Sequence, residues 1–337
     1  MKRGIEMKKV INLITIVLLM TFLINNALPQ EAKPTEKKEW WNEGFGKWPR
    51  PSPNAKKLPL IQVKGNKLVN AKGDTILFRG LSISDPDKLA DQGHWDKKHF
   101  EKVKEMGAMI VRIPVHPVAW RDRTPTNYLE LLDQAVEWCT ELEMYIIIDW
   151  HSIGNLQMEL FQNRMYDTTQ RETFEFWRTI AGHFRGHNTV AFYEIFNEPT
   201  IFQGRLGRMS WSEWKKINEN IIKLIRAYDK EKIPLVAGLD WAYDLSSLHD
   251  DPIDAEDIAY VTHPYAMKRS QPWEPKWEEN FGFAAGRYPI IATEMGFGLR
   301  PGEVIDKDHY GNRIVNYLEG KGIAGLPGCL MPTGIPK

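Results

Sequence analysis

The chain has little sulfur chemistry to offer: two cysteines in 337 residues, Cys139 and Cys329. They are too few and too far apart for a disulfide framework or a thiolate metal centre. It also lacks an excess of charge, with 44 Lys and Arg against 44 Asp and Glu and no long block of one sign in the body of the chain. A partner held by bulk electrostatics, nucleic acid above all, is therefore excluded, and the ligand is expected to be neutral. No Gly-x-Gly-x-x-Gly follows the first strand of the repeating pattern, which removes the usual fingerprint of an open dinucleotide-binding sheet. The 42% of hydrophobic residues can fill a sizeable core, so a disordered or collagen-like chain is excluded too.

Aromatic residues are plentiful. Thirteen Trp and eleven Tyr exceed what a core needs, and many stand beside Pro, Gly, His or Asp, where loops are expected. A flat apolar face with a polar edge suits stacking against a sugar ring.

Periodicity sets the architecture. Ile61 to Val63 and Lys67 to Val69 flank Gly65-Asn66 and predict a hairpin, followed by a short apolar strand from Ile76 to Leu81. Strands are then predicted at 108–115, 145–150, 190–196, 233–239, 258–262 and 289–293, with helices at 127–142, 169–184 and 211–228, the last capped by Ser210. Short, wholly apolar strands alternating with amphipathic helices imply a parallel sheet covered on both faces. Polar residues close nearly every strand rather than clustering at one crevice, which favours a (β/α)8 barrel over a doubly wound sheet. Seven of its strands are visible.

Those strand ends carry Arg112, His151, Asn197, Glu198, His263, Tyr265 and Glu294. In a barrel they converge on one face. Glu198 and Glu294 each follow an apolar strand and would meet across the mouth, as the hydrolysis of a glycosidic bond requires of an acid and a carboxylate. Trp120, Trp150, Trp241 and Trp273 follow or end strands and are candidate sugar platforms, each equally suited to anchoring a loop. His116 in Val115-His116-Pro117 is a further candidate for substrate binding. Arg112 could instead be a structural ion-pair partner, and His151 and His263 satisfied core histidines. Trp138, Trp177, Trp211 and Trp214 fall in helices and are expected to pack, and the acidic run from Asp250 to Asp257 to be solvated.

Arg112-Ile113-Pro114, Asp149-Trp150-His151, Asn197-Glu198-Pro199, His263-Pro264-Tyr265 and Thr293-Glu294-Met295-Gly296, in this order on successive strands, resemble glycoside hydrolase family 5, the large cellulase family, from about Gln62 to Gly298. The resemblance implies a retaining endo-β-1,4-glucanase with Glu198 as general acid/base and Glu294 as nucleophile, their carboxyl groups about 5 to 5.5 Å apart. It further implies that Asn197 bonds the sugar 2-OH, that Tyr265 orients the nucleophile, that Arg112 keeps Glu294 ionised, and that His151 and His263 bind hydroxyls or tune the carboxylates. No metal or other cofactor is implied. The partner is a β-glucan polysaccharide or oligosaccharide, and a monomer is expected. A β-mannanase or another β-glycanase shares this catalytic set, and a defective carbohydrate-binding barrel is the reading from a different class.

The two ends give expectations of their own. Lys2, Arg3, Lys8 and Lys9 precede an apolar run, Val10 to Ile24, with Ala27 after it. The run is short of the ~20 residues of a membrane span, so residues 1–27 read as a secretory signal, with no stable membrane association after cleavage. Residues 28–59 read as a linker or N-terminal extension and residues 60–337 as the catalytic domain. Members of the family have an eighth strand ending in Trp and a last helix, whereas here the chain runs from Gly322 through Pro332 to Lys337 without a Trp. A frame beginning on the third base of the Ala324 codon permits Trp-x-x-Trp-x-Phe-Asp-Ala-Asp-Trp-x-Pro. The barrel is therefore expected to lack a proper eighth strand and last helix, through a frameshift near 322–324 or a natural loss. If the codons of Gly325, Gly328 and Gly334 are not preceded by T in the DNA, the frameshift is excluded.

Overall fold

The computed structural model describes residues 56–200, 207–296 and 310–327. The expected signal, most of the extension with Trp40, Trp41, Phe45 and Trp48, Cys329 and the tail on which the frame argument rests lie outside them. Among the described residues no helix is long and apolar enough to cross a membrane.

Thirteen strands are described: β1 (Gln62–Lys64), β2 (Lys67–Val69), β3 (Gly80–Ser82), β4 (Ile110–Val115), β5 (Tyr145–Trp150), β6 (Ile153–Asn155), β7 (Leu160–Phe161), β8 (Val190–Glu194), β9 (Glu198–Pro199), β10 (Ile233–Ala237), β11 (Ala259–Val261), β12 (Ile290–Met295) and β13 (Ala324–Pro327). Eight of them form one parallel sheet in the order β3-β4-β5-β8-β10-β11-β12-β13, the strand set of the expected (β/α)8 barrel. An eighth strand is present but only partly seals the barrel, where a proper eighth strand was expected to be lacking. It is short, pairs with β12 across a register shift between Ala292 and Met295, and meets the other edge through one bridge, Arg79 to Gly325, beside the Arg79–Glu319 ion pair at 2.8 Å. A strand of four residues with one large apolar side chain, Leu326, has little periodic signal, which is why the sequence hid it. No helix follows it among the described residues.

The β1–β2 hairpin turns at Gly65, whose φ of 60° suits glycine. Leu58, Ile61 and Leu68 join Phe78, Ile110, Tyr145, Phe192 and Ile233 in one buried cluster, so the hairpin plugs the end of the barrel where the strands begin. Packing has therefore begun by Leu58, inside the segment assigned to the extension. Helices Pro125–Glu141, Gln170–Phe184 and Trp211–Tyr228 cover the strands. Thr169 caps the second, and Ser210 with Glu213 forms a reciprocal capping box on the third, satisfying amides that would otherwise be left without partners. Trp177 and Trp214 pack as expected, each donating its indole N–H to a carbonyl at a strand end, Ile195 and Ala237, at 2.9 Å. Cys139 is buried in its helix as a free thiol.

Candidate active site

The site is organised around one buried cation. Side chains alternate between the faces of a strand, so Ile110 and Arg112 of β4 share the barrel interior while Val111 and Ile113 turn outward. Arg112 is fully buried. Its Nε and Nη2 donate to Glu194 at 2.7 and 3.0 Å, and Nη1 donates to Glu294 at 2.7 Å and to Ser82 at 3.3 Å. Nη2 also donates to Asn197 Oδ1 at 2.7 Å and lies 2.9 Å from Asp149 Oδ2.

Three carboxylates share this guanidinium and do not fare alike. For Glu294 burial works against ionisation, but Arg112, His263, His151 and the Tyr265 hydroxyl together hold it well below the usual carboxylate range. Glu194 is also held low, Arg112 and His263 outweighing burial. Asp149 is pushed well up by burial, only partly offset by Arg112, with the charges of Glu194 and Glu294 adding to the rise. Arg112 thus does carry ion pairs, and one of its partners is the expected nucleophile.

The supporting residues converge as their strand positions demand. Tyr265 donates its hydroxyl to Glu294 Oε2 at 2.8 Å, and Gly296 makes room for it, since a Cβ there would stand 3.0 Å from the tyrosine ring. His263 Nδ1 lies 3.1 Å from Glu198 Oε1 and Nε2 lies 2.9 Å from Thr293 Oγ1. One oxygen of Glu198, one of Glu294 and a ring nitrogen of His263 all fall within 4.8 Å of one another. Burial lowers the basicity of His263, but Glu294, Glu194 and Glu198 outweigh it and raise its pKa from 6.5 to about 9. His151 Nδ1 meets Asp149 at 2.6 Å, yet burial and the charge of Arg112 bring its pKa down to about 4. That contact is a hydrogen bond of a neutral imidazole rather than an ion pair. His116 is fixed in the same way by Asp85 at 2.9 Å, its ring 4.5 Å from that of His151.

A pH dependence follows from His263. Its folded pKa lies above the unfolded value, so its contribution is fully present below pH 6.5 and disappears as the pH rises through about 9. Thermal unfolding should show a midpoint that falls across this window, by up to about 3 kcal/mol of stability. His263→Asn should flatten that slope; an unchanged slope in the variant would assign the alkaline loss to another group.

Glu198 is placed by a small second sheet beyond the barrel. β6 pairs with β9 in parallel and with β7 antiparallel, and the Glu198 N–H donates to the Ser152 carbonyl at 3.1 Å. Gly154 permits the β7 strand to pair with β6, because a Cβ there would meet the Leu160 carbonyl at 2.4 Å.

Three of the four expected platforms are corrected. Trp150 is fully buried, stacked on Phe176 at 4.1 Å with its indole N–H on Thr173: alternation turns it to the helix layer while Asp149 and His151 face the site. Trp120 is 4% exposed, wedged between Tyr128 and Phe176. Trp273 is 7% exposed, packed on Tyr310 and under the Arg313 guanidinium. Trp241 alone of the four is half-buried at the barrel mouth. It lies in a turn where Asp240, Trp241 and Ala242 have φ of 57°, 54° and 58°, a left-handed conformation that costs non-glycine residues about 1–2 kcal/mol each.

The sequence reading missed Glu194, Thr293, Asp85 and Tyr166. Glu194 had a readable signal: a lone charge inside an apolar strand must be paired to be buried there. Tyr166 had none, being in a loop that folds back so that Ser152 donates to its carbonyl at 2.6 Å. Burial and the charges of Glu198 and Glu294 push its hydroxyl pKa up, and its ring stacks with that of His116.

An eight-stranded α/β barrel gathering two glutamates, one of them locked in its ionised form, at the carboxyl ends of its strands defines the class: a glycoside-hydrolase barrel. Within it the chain belongs to the cellulase family, glycosyl hydrolase family 5, whose model matches residues 69–326. It is 42% identical to the β-glucanase SdGluc5_26A from Saccharophagus degradans, covering 89% of this chain and 92% of that one with a TM-score of 0.82. That β-glucanase has also been solved in complex with cellotetraose, with a TM-score to this chain of 0.83. Among sequence relatives, endoglucanase A of Butyrivibrio fibrisolvens is 26% identical over 217 residues, 61% of this chain and 45% of that one. An endoglucanase of Clostridium saccharobutylicum is 26% identical over 238 residues, 70% of this chain and 49% of that one. The chain thus spans about half the length of these two endoglucanases.

Proposed function

We propose that the protein is an endo-acting β-1,4-glucanase that works with retention of configuration. One observation carries the mechanism: oxygens of Glu198 and Glu294 lie within 4.8 Å. Inverting enzymes hold their carboxyl groups about 6.5–9.5 Å apart to admit a water, retaining ones about 5–5.5 Å. Support for the substrate comes from the endoglucanase relatives and from the cellotetraose bound to the Saccharophagus degradans enzyme.

Glu294, ionised by Arg112, attacks the anomeric carbon as the bond to the leaving oxygen breaks. Glu198 gives that oxygen its proton. Water then attacks the glycosyl-enzyme, surrendering a proton to Glu198 and releasing Glu294. Asn197 has its carbonyl oxygen committed to Arg112, so its amide N–H groups are the donors available to the sugar 2-OH. His263 spans the two carboxylates, and His151 and His116, both turned by an aspartate at Nδ1, offer Nε2 to hydroxyls. Trp241 supplies a stacking face. The basic start and apolar run support export of the chain.

Soluble cellulose, mixed-linkage β-glucan and mannan derivatives assayed side by side test the substrate, with the glucans expected to release reducing sugar. Proton NMR of the first product tests the mechanism. The β-anomer should appear first and mutarotate; an initial α-anomer would overturn retention.

A further inference from the structure

The left-handed turn at Asp240–Ala242 is closed at its base by a backbone bridge between Leu239 and Asp244, and its carbonyls are braced from one neighbouring segment. Lys268 Nζ donates to the Asp240 carbonyl at 3.1 Å and to the Trp241 carbonyl at 3.4 Å. The backbone N–H of His263 donates to the Ala242 carbonyl at 2.8 Å. Arg269 adds an ion pair to the Asp240 carboxylate at 3.0 Å. All three carbonyls of a conformation that non-glycine residues avoid are thus engaged by the segment that follows β11, the one bearing His263 and Tyr265. The Lys268 ammonium also stands 5.0 Å from the centre of the Trp241 ring. It is half-buried and lies within the field of Glu198 and Glu294.

We infer that Lys268 is a positioning residue that holds the strained Asp240–Ala242 turn, and through it fixes the Trp241 ring as a platform for the leaving-group side of the glucan. The side follows from strand order. β10, which leads into Trp241, is the neighbour of β8, which leads into Glu198, and Glu198 serves the leaving oxygen in the reading above. The inference rests on that reading. Strain of this kind persists only where the surroundings over-determine it, and Lys268 contributes two of the bonds that do so. Without the ammonium, the Asp240 and Trp241 carbonyls lose a donor and the turn can relax into the right-handed region.

The test compares two substrates in the full chain. Cellohexaose places sugars on the leaving-group side; β-cellobiosyl fluoride places none there. Lys268→Met should lower kcat/KM for cellohexaose by about ten- to hundredfold, the scale of an ångström-sized misplacement, and leave the fluoride within about twofold. Adding Ala242→Gly should recover much of the loss, because glycine takes positive φ without strain, whereas a lysine that merely bonded substrate would not be replaced by a glycine. Equal losses on both substrates, no loss, or no recovery would each overturn the inference. A crystal structure of Lys268→Met reads it independently of activity: the turn should leave the left-handed region, and persistence there would overturn the clamp. If the unaltered protein cleaves neither substrate while the variant's turn does relax, the glucanase reading fails and the clamp stands.

Discussion

Glu294→Gln should abolish hydrolysis of every substrate, with a loss on the order of 10⁴- to 10⁶-fold, the scale seen when a nucleophile is removed. The amide keeps the shape: its one oxygen can still accept from Arg112 and its NH2 can donate to the Tyr265 hydroxyl oxygen, so the fold should survive. What disappears is the negative charge that Arg112 stabilises and that, in the proposed mechanism, attacks the anomeric carbon. Glu198→Gln should behave differently. Its loss on glucan should be about 10²–10⁴-fold, the range for general acid–base catalysis. On β-cellobiosyl fluoride the first step should be nearly unaffected, because fluoride leaves with little protonation, and a glycosyl-enzyme should accumulate that mass spectrometry detects on Glu294. The reverse pattern would exchange the two roles, and full activity in both variants would remove the catalytic assignment altogether.

Arg112→Met should produce the largest loss of stability. The guanidinium is wholly buried among Glu194, Asp149 and Glu294, and removing one partner of a buried charge network costs about 3–5 kcal/mol, because the remaining charges are left unpaired. The sign of the pH dependence follows. Glu294 and Glu194 have folded pKa values held below the unfolded ones, so their contribution is present above about pH 4.5 and is lost as the pH falls through the folded values. Without Arg112, burial is opposed only by the remaining partners, His263 for both and His151 and Tyr265 for Glu294. The acid limb of kcat/KM should then move upward, and acid unfolding should begin at a higher pH. Arg112→Lys is the milder variant for the same measurement: one ammonium cannot reproduce the fork that meets Glu194 and Glu294 together, so the shift should have the same direction. An acid limb unmoved in a folded Arg112 variant would show that the charge of Arg112 does not set the ionisation of Glu294.

The barrel was legible where the hydrophobic pattern was long and unmixed. Tyr145–Trp150 falls at the predicted bounds, and Trp211–Tyr228 begins after the predicted Ser210 cap. Glu198 and Glu294 could be named because a carboxylate closing an apolar strand must lie at the barrel mouth. Three of the four tryptophan platforms failed for a physical reason. Position after a strand says that a residue is near the mouth but not which face it takes, and alternation sent Trp150 to the helices while Trp120 and Trp273 filled gaps between packed rings.

The sequence by itself determined the strand–helix alternation and the identity of the residues at the strand ends, because both depend on short-range periodicity and on the cost of burying charge. Tertiary structure alone decided which of those residues share a partner. That Arg112 serves Glu194, Asp149 and Glu294 at once, that a short β13 nearly closes the barrel, and that a lysine after β11 holds a turn after β10 are all consequences of closing a sheet in three dimensions. Closure brings together residues that no spacing along the chain connects.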